Sequence, residues 1–291
     1  MANLKEIRNR INSVTSTMQI TSAMKMVSAA KLKRAQDAVT QMRPYAEKLQ
    51  EILVNLSATL DLSENSFSNQ REVKNVLLVG ITSNRGLCGG FNNNIIKKVS
   101  QLSEAEKNKN NQVKVLCLGK KNKDVVKKGD LLYSHDAIEE VEDIFSDLTF
   151  ENTAKIAEHL MSIFKSEEFD QVILVYNRFV NAATQSVEQE QFLPILPPDE
   201  NLSSSGDYLF EPSKTEIVED LIPKSLKIQL FKSLLDSQAA EHGARMTAMH
   251  KATDNADELN KELKLSYNKA RQAAITNEIL EIVGGAEALN A

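Results

Sequence analysis

The sequence predicts a central α/β domain between two long terminal helices that pair as an antiparallel coiled coil. Three features lead to this. From Lys224 to Val283 the chain has one glycine, Gly243, and no proline. It is rich there in Ala, Leu, Lys, Glu, Arg, Gln and Met, which lose little rotamer freedom in a helix. Near the start, Leu4, Ile7, Ile11, Val14, Met18, Thr21, Lys25, Ser28, Leu32, Ala35, Val39 and Met42 alternate by three and four. That is the seam of a coiled coil. Between the two rods lie short β-branched apolar runs.

A continuous C-terminal helix would reach about 100 Å, too long to be hidden inside one small domain. Its own seam reads Met246, Met249, Thr253, Ala256, Asn260, Leu263, Tyr267, Ala270 and Ala274. Two such rods most simply pair antiparallel, with the middle of the chain forming a separate body; a many-helix bundle lacks further helices of similar length. Both seams soften toward the chain termini, at Thr21, Lys25 and Ser28 on one rod and at Asn260, Ala270, Ala273 and Ala274 on the other. Small and polar residues there predict close helix approach, low intrinsic stability and an external surface around that end.

In order along the chain, Pro44 marks a kink after the first rod, because its ring clashes with the preceding turn. Helical periodicity resumes at Leu49, Ile52, Leu53, Leu56 and Leu60, and the Ser- and Asn-rich stretch 61–71 reads as a linker. Val73–Thr82 has the form of a strand buried on both faces. A glycine-rich turn, SNRGLCGG, leads into a helix from Asn92 to about Ser103. Val113–Leu118 is a second strand, closed by Gly119 and a lysine-rich segment. A helix over Asn152–Lys165 precedes a third strand, Gln171–Phe179, and an alternating edge strand, Thr184–Ile195. Strand–helix alternation of this kind predicts a Rossmann-like domain around a mainly parallel sheet. After the exposed connection around Pro197 and Pro198, Glu211-Pro212-Ser213 opens a short helix to Leu221, and Pro223 restarts the chain as the long rod.

Composition restricts the function. Of 291 residues, 42% are hydrophobic and 26% charged, with a net charge of -5, which gives no argument for nucleic acid or an anionic membrane. No apolar run approaches the length of a membrane span, and the N-terminus lacks a signal-peptide core. Cys88 and Cys117, the two cysteines, imply a reducing compartment rather than a disulfide framework.

The turn RGLCGG lacks the Lys-Ser/Thr of a P-loop and does not fit G-x-G-x-x-G, so its glycines are read as serving a tight turn and close packing. No partner motif accompanies Cys88, and His135, His159, His242 and His250 are read as surface histidines, without metal-ligand spacing. No catalytic constellation emerges, and no cofactor or metal site is expected. Arg8, Arg10, Lys25, Lys31, Lys33 and Arg34 cluster on the first rod; Arg8, Lys25 and Arg271 would suit an acidic partner. On the residues alone a coiled-coil scaffold ranks first and a dinucleotide-dependent enzyme second.

The run ARMTAMHKATDNADELNKELKLSYNKARQAAITNEILEIVGGAEAL (244–289) closely resembles the gamma subunits of F-type ATP synthases. So do ITSAMKMVSAAKL in the first rod and SNRGLCGGFN after the first strand. Asn84 departs from the Asp that commonly precedes Arg-Gly-Leu-Cys-Gly. The resemblance implies a non-catalytic central rotor shaft, with coiled-coil segments 1–60 and 212–291 and an α/β domain over 73–196. Its tip would lie inside three alpha and three beta subunits, and its body on the membrane c-ring beside the epsilon subunit. Rotation would couple transmembrane proton flow to the nucleotide states of the beta subunits. The location implied is the cytoplasmic face of the bacterial inner membrane, as a peripheral subunit without membrane insertion. Family contacts with beta carry over to Met24, Lys25, Arg271, Gln272 and Thr276, with Arg85 a further candidate.

Overall fold

A computed structural model describes residues 4–57, 66–138, 141–195 and 214–290. Two helices dominate it, α1 (Leu4–Ser57) and α5 (Lys214–Asn290). Between them come β1 (Asn75–Ile81), α2 (Phe91–Asn108), β2 (Gln112–Leu118), α3 (Lys120–Val126), α4 (Phe150–Lys165), β3 (Gln171–Phe179) and β4 (Gln185–Leu193). The chain divides into two compact units. One comprises residues 1–28 with 246–291, the other residues 29–245.

In the first unit the two helices run antiparallel. Arg8 bonds to Tyr267, Thr15 to Asn260, Thr21 to Thr253 and Lys25 to His250, so one sequence falls as the other rises. On α1 every seam position from Leu4 to Met42 is buried or half-buried, and on α5 the same holds from Met246 to Ala270; Ala274 is exposed. The three-four spacing has therefore put one continuous stripe of each helix against a neighbour.

The second unit is built on a four-stranded sheet of order β2-β1-β3-β4, with β1 parallel to β2 and β3, and β4 antiparallel on the edge. Its strands are apolar on both sides because both sides are covered. Val76, Leu78, Val113, Val115, Ile173 and Val175 meet Ile95 and Val99 of α2. Leu77, Val79, Ile81, Leu116, Leu174 and Phe192 meet Ile156, Leu160 and Phe164 of α4 with Leu226, Leu230 and Leu234 of α5. At the carboxyl ends of the strands, Gly119 has φ +118 and lies so near Thr82 that a Cβ would sit 2.0 Å from its carbonyl oxygen; only glycine fits.

Several sequence expectations are corrected. Pro223 lies inside α5, so the short helix to Leu221 and the long rod are one element, whereas helix does resume past Pro44, which lies inside α1. An interior proline costs about 3 kcal/mol. Burying Ile222, Leu226 and Leu230 one turn apart can offset that, at about 1.5–3 kcal/mol each. Nor is the rod wholly an external feature: residues 222–245 are largely buried within the α/β unit. The lysine-rich stretch after Gly119 forms α3. Helix α2 runs past Ser103 to Asn108, where Glu106 holds Lys109 and Asn111 at 2.7 Å each. His159 and His242 are buried rather than superficial. Leu53, Leu56 and Leu60, read as helix-face residues, fall where side chains lie outside the described set.

Candidate partner-binding surfaces

Met24 and Lys25 are half-buried on α1. The Lys25 ammonium stands 3.3 Å from Nδ1 of His250, which also lies 3.3 Å from the Asp254 carboxylate. Thr21, one turn back, accepts a hydrogen bond from the Thr253 hydroxyl at 2.8 Å. Lys25 is thus tethered across the seam, while Met26 and Val27 beside it are exposed.

Arg271, Gln272 and Thr276 are exposed on α5, and the Thr276 hydroxyl donates to the Gln272 carbonyl at 2.9 Å. They form a station separate from Lys25. Arg271 is twenty-one positions beyond His250, roughly 30 Å along the helix. Arg8, which would suit an acidic partner, donates to the Tyr267 hydroxyl at 2.9 Å and lies over its ring.

The seam softens into small residues at Ala270, Ala273 and Ala274, and every residue from Arg271 to Ala286 is exposed, among them Ile275, Ile279, Leu280, Ile282 and Val283. The last cross-seam contact among the described residues is Arg8 with Tyr267, and Arg271 lies about one turn of α5 further on. Ile275, Ile279 and Ile282 recur at four and three, one position off the seam, and that spacing was visible in the sequence.

The second unit carries Arg85, exposed on the SNRGLCGG turn. The turn is fixed from within and from α5. Ser83 donates its hydroxyl to the Arg85 carbonyl at 2.6 Å, and its backbone N–H to Asn92 Oδ1 at 2.9 Å. The Arg245 guanidinium donates to the carbonyls of Arg85 and Gly86 at 3.2 and 3.3 Å, and to Glu241 at 2.6 Å. Cys88 and Phe91 pack on Ala240 and Ala244. Gly243 lets α5 approach Ala182, whose Cα would lie 3.3 Å from an added Cβ. Burial pushes the Glu241 carboxyl above its ordinary range, although Arg245, Lys31 and Arg85 pull the other way. The three sequence motifs therefore meet around one buried carboxylate, through Lys31, Arg85 and Arg245.

Leu87 was missed by the sequence reading. It adopts φ +63 and is 64% exposed. A left-handed leucine costs about 1–2 kcal/mol, and residue type alone gives no sign of it. Asn84 donates to Asp143 at 2.9 Å and accepts the Lys120 N–H at 3.1 Å. An aspartate there would instead face the Asp143 carboxylate.

Among the described residues no three His, Cys, Asp or Glu side chains converge on a metal position, and no helix is long and apolar enough to cross a membrane. Paired terminal helices, an α/β unit clasping one of them, and bare apolar helix beyond the seam define a stalk-type subunit.

A sequence-family profile described as ATP synthase matches residues 3–289. The ATP synthase gamma chain of Flavobacterium johnsoniae is 64% identical over 292 residues, covering 100% of each chain. That of Christiangramia forsetii is 61% identical, again over 100% of both. Among solved structures, a chain from the central stalk and c-ring of the Tetrahymena thermophila mitochondrial ATP synthase is 26% identical, with TM-score 0.56 over 80% of this chain and 99% of that one. A chain from the Euglena gracilis mitochondrial ATP synthase shares the fold, with TM-score 0.68, 22% identity and coverage of 98% and 94%. The chain belongs to the ATP synthase gamma-chain family, the non-catalytic stalk subunits of that enzyme.

Proposed function

We propose that this chain is the rotating shaft of an F-type ATP synthase, coupling transmembrane proton flow to the conformational cycle of the catalytic beta subunits. Segments 1–60 and 212–291 serve as the shaft and 73–196 as the body. Three alpha and three beta subunits surround the tip, and the body meets the epsilon subunit and the c-ring. The complex works at the cytoplasmic face of the bacterial inner membrane. The observation that carries this reading is the helix beyond Ala270, where isoleucines and leucine stand in solvent. An apolar stripe of this kind marks an interaction site.

Arg271, Gln272 and Thr276 form one beta-contact station, Met24 and Lys25 a second, and Arg85 with Leu87 a third. At the first, a guanidinium offers directed bonds to carboxylate while the apolar residues below it let a surface slide.

The test is Arg271→Glu. The side chain is exposed, and glutamate is a good helix former, so helicity by circular dichroism and assembly should be normal. Replacing a charge-assisted bond by repulsion should cost about 1.5–3 kcal/mol, roughly tenfold or more in an equilibrium. ATP synthesis and ATP-driven ion pumping in reconstituted vesicles should both fall clearly. Unchanged synthesis in a normally assembled complex would remove Arg271 from the contact.

A further inference from the structure

The crossover from β2 to α4 is tied to the sheet at its start. Val115 donates to the Leu131 carbonyl at 2.7 Å, and Tyr133 donates to the Val115 carbonyl at 2.9 Å. Beyond that point, side chains of α4 and its C-terminal turn take over. The Tyr133 ring stands edge-on to Phe169 with centroids 5.3 Å apart, and its hydroxyl lies 3.1 Å from His159 Nε2. The His135 ring lies against the His159 ring at 4.6 Å between centroids, tilted by 43°. His159 itself is only 9% exposed. Tyr133, Ser134 and His135 also wall a cavity of about 300 Å³ at the end of β2, lined further by Cys117, Asp136 and Glu142.

One hydrogen links the Tyr133 hydroxyl to His159 Nε2, and its donor depends on the His159 tautomer. The Glu168 carboxylate acts on both groups through its charge. A further proton on His159 makes both of its ring nitrogens donors and creates a cation against a second imidazole. From the geometry we infer an acid-sensitive latch: protonation of His159 against the stacked His135 ring releases the crossover from α4 and exposes Cys117 on the cavity wall.

The groups facing His159 are His135 and Tyr133 from the crossover and Glu168 from the turn after α4. Burial lowers the His159 pKa most, His135 lowers it further, and Glu168 opposes. An imidazole in an unfolded chain titrates near pH 6.5. The latch is thus fully closed above that pH and weakens as pH falls through it toward the lower folded value. This gives the crossover a sensitivity that the sheet, whose strands carry no histidine, does not share.

The experiment is amide hydrogen exchange on the full chain at pH 7.5 and 5.5, corrected for intrinsic rates, with 4,4′-dithiodipyridine labelling of Cys117 as a second readout. In the wild type, opening at residues 131–135 should rise about tenfold on acidification while β1 changes less than about twofold. Cys117 labelling should rise in parallel. His159→Phe keeps a stacked ring that cannot ionise and should abolish the rise. His135→Gln, at an exposed position, should reduce it by the smaller share that the second imidazole contributes beside burial, and decides the matter alone if the phenylalanine variant misfolds. An undiminished rise in His135→Gln would overturn the latch, as would β1 and the crossover opening together in the wild type.

Discussion

Arg245 shows how much one side chain can hold in place. It binds a buried carboxylate on its own helix and two carbonyls of the turn that presents Arg85 and Leu87. Arg245→Met would keep the volume and remove the charge. Breaking a buried pair costs about 3–5 kcal/mol, because the remaining charge is stranded. The pH dependence follows from Glu241. Its pKa is already raised by burial, so the native fold favours its protonated form, and the carboxylate becomes more costly as pH rises through its titration. Losing Arg245 raises that pKa further. Urea unfolding of the variant should therefore show its largest deficit at pH 7 and a smaller one near pH 5. An equal deficit at both pH values would mean that the loss lies in the turn carbonyls and not in the carboxylate. Neither Glu241 nor Arg245 could be singled out from the sequence, because their i,i+4 spacing is common on solvated helices and burial here is imposed by a turn about 160 residues away.

At the scale of elements, periodic signals were legible and non-local ones were not. The α1 seam was readable at every position because a coiled coil repeats its instruction each turn, and the third strand was delimited at both ends by its β-branched run. Pro223 misled because its penalty is local, whereas the burial that offsets it comes from distant parts of the chain. His159 and His242 were misplaced for the same reason. Of the candidate contacts, Met24, Arg85, Gln272 and Thr276 came through family resemblance alone, while Lys25 and Arg271 were marked also by their charge near the softened seam. Asn260 gives a test of the seam itself. It is 5% exposed, its Nδ2 donates to the Thr15 hydroxyl at 3.3 Å, and its Oδ1 has no partner among the described residues. The Thr15 proton is already given to the Ile11 carbonyl at 2.8 Å. Asn260→Leu removes an unmet acceptor and adds apolar burial, so the coiled coil should gain about 1 kcal/mol. Slower amide exchange over residues 253–267 would show it. Faster exchange would mean that the helices approach too closely for leucine and that the asparagine is there for register.

Taken whole, the molecule distributes its apolar burial unevenly between its two units. The apolar clusters that include Leu77, Leu160 and Leu234 lie in residues 29–245. In the coiled-coil unit the buried seam residues are Ile7, Met249 and Ala256 together with Thr21, Ser28 and Asn260. Burying a Thr or Ala side chain yields far less than burying a leucine, about 1.5–3 kcal/mol when complete. Long helices without a large apolar face are marginal in water. In the free chain, amides of residues 4–25 and 268–286 should therefore exchange quickly, while β1, β3 and residues 226–240 of α5 exchange only on global unfolding. Inside a ring of alpha and beta subunits the same tip amides should become protected, because an enclosing surface supplies the burial that the seam lacks. Lys25 should follow this pattern less than Arg271, since its ammonium already has a partner across the seam in His250. The comparison is hydrogen exchange on the isolated chain and on the assembled complex. Equal rates at residues 271–283 in both samples would mean that nothing covers the exposed isoleucines, and the shaft reading would lose its main physical support.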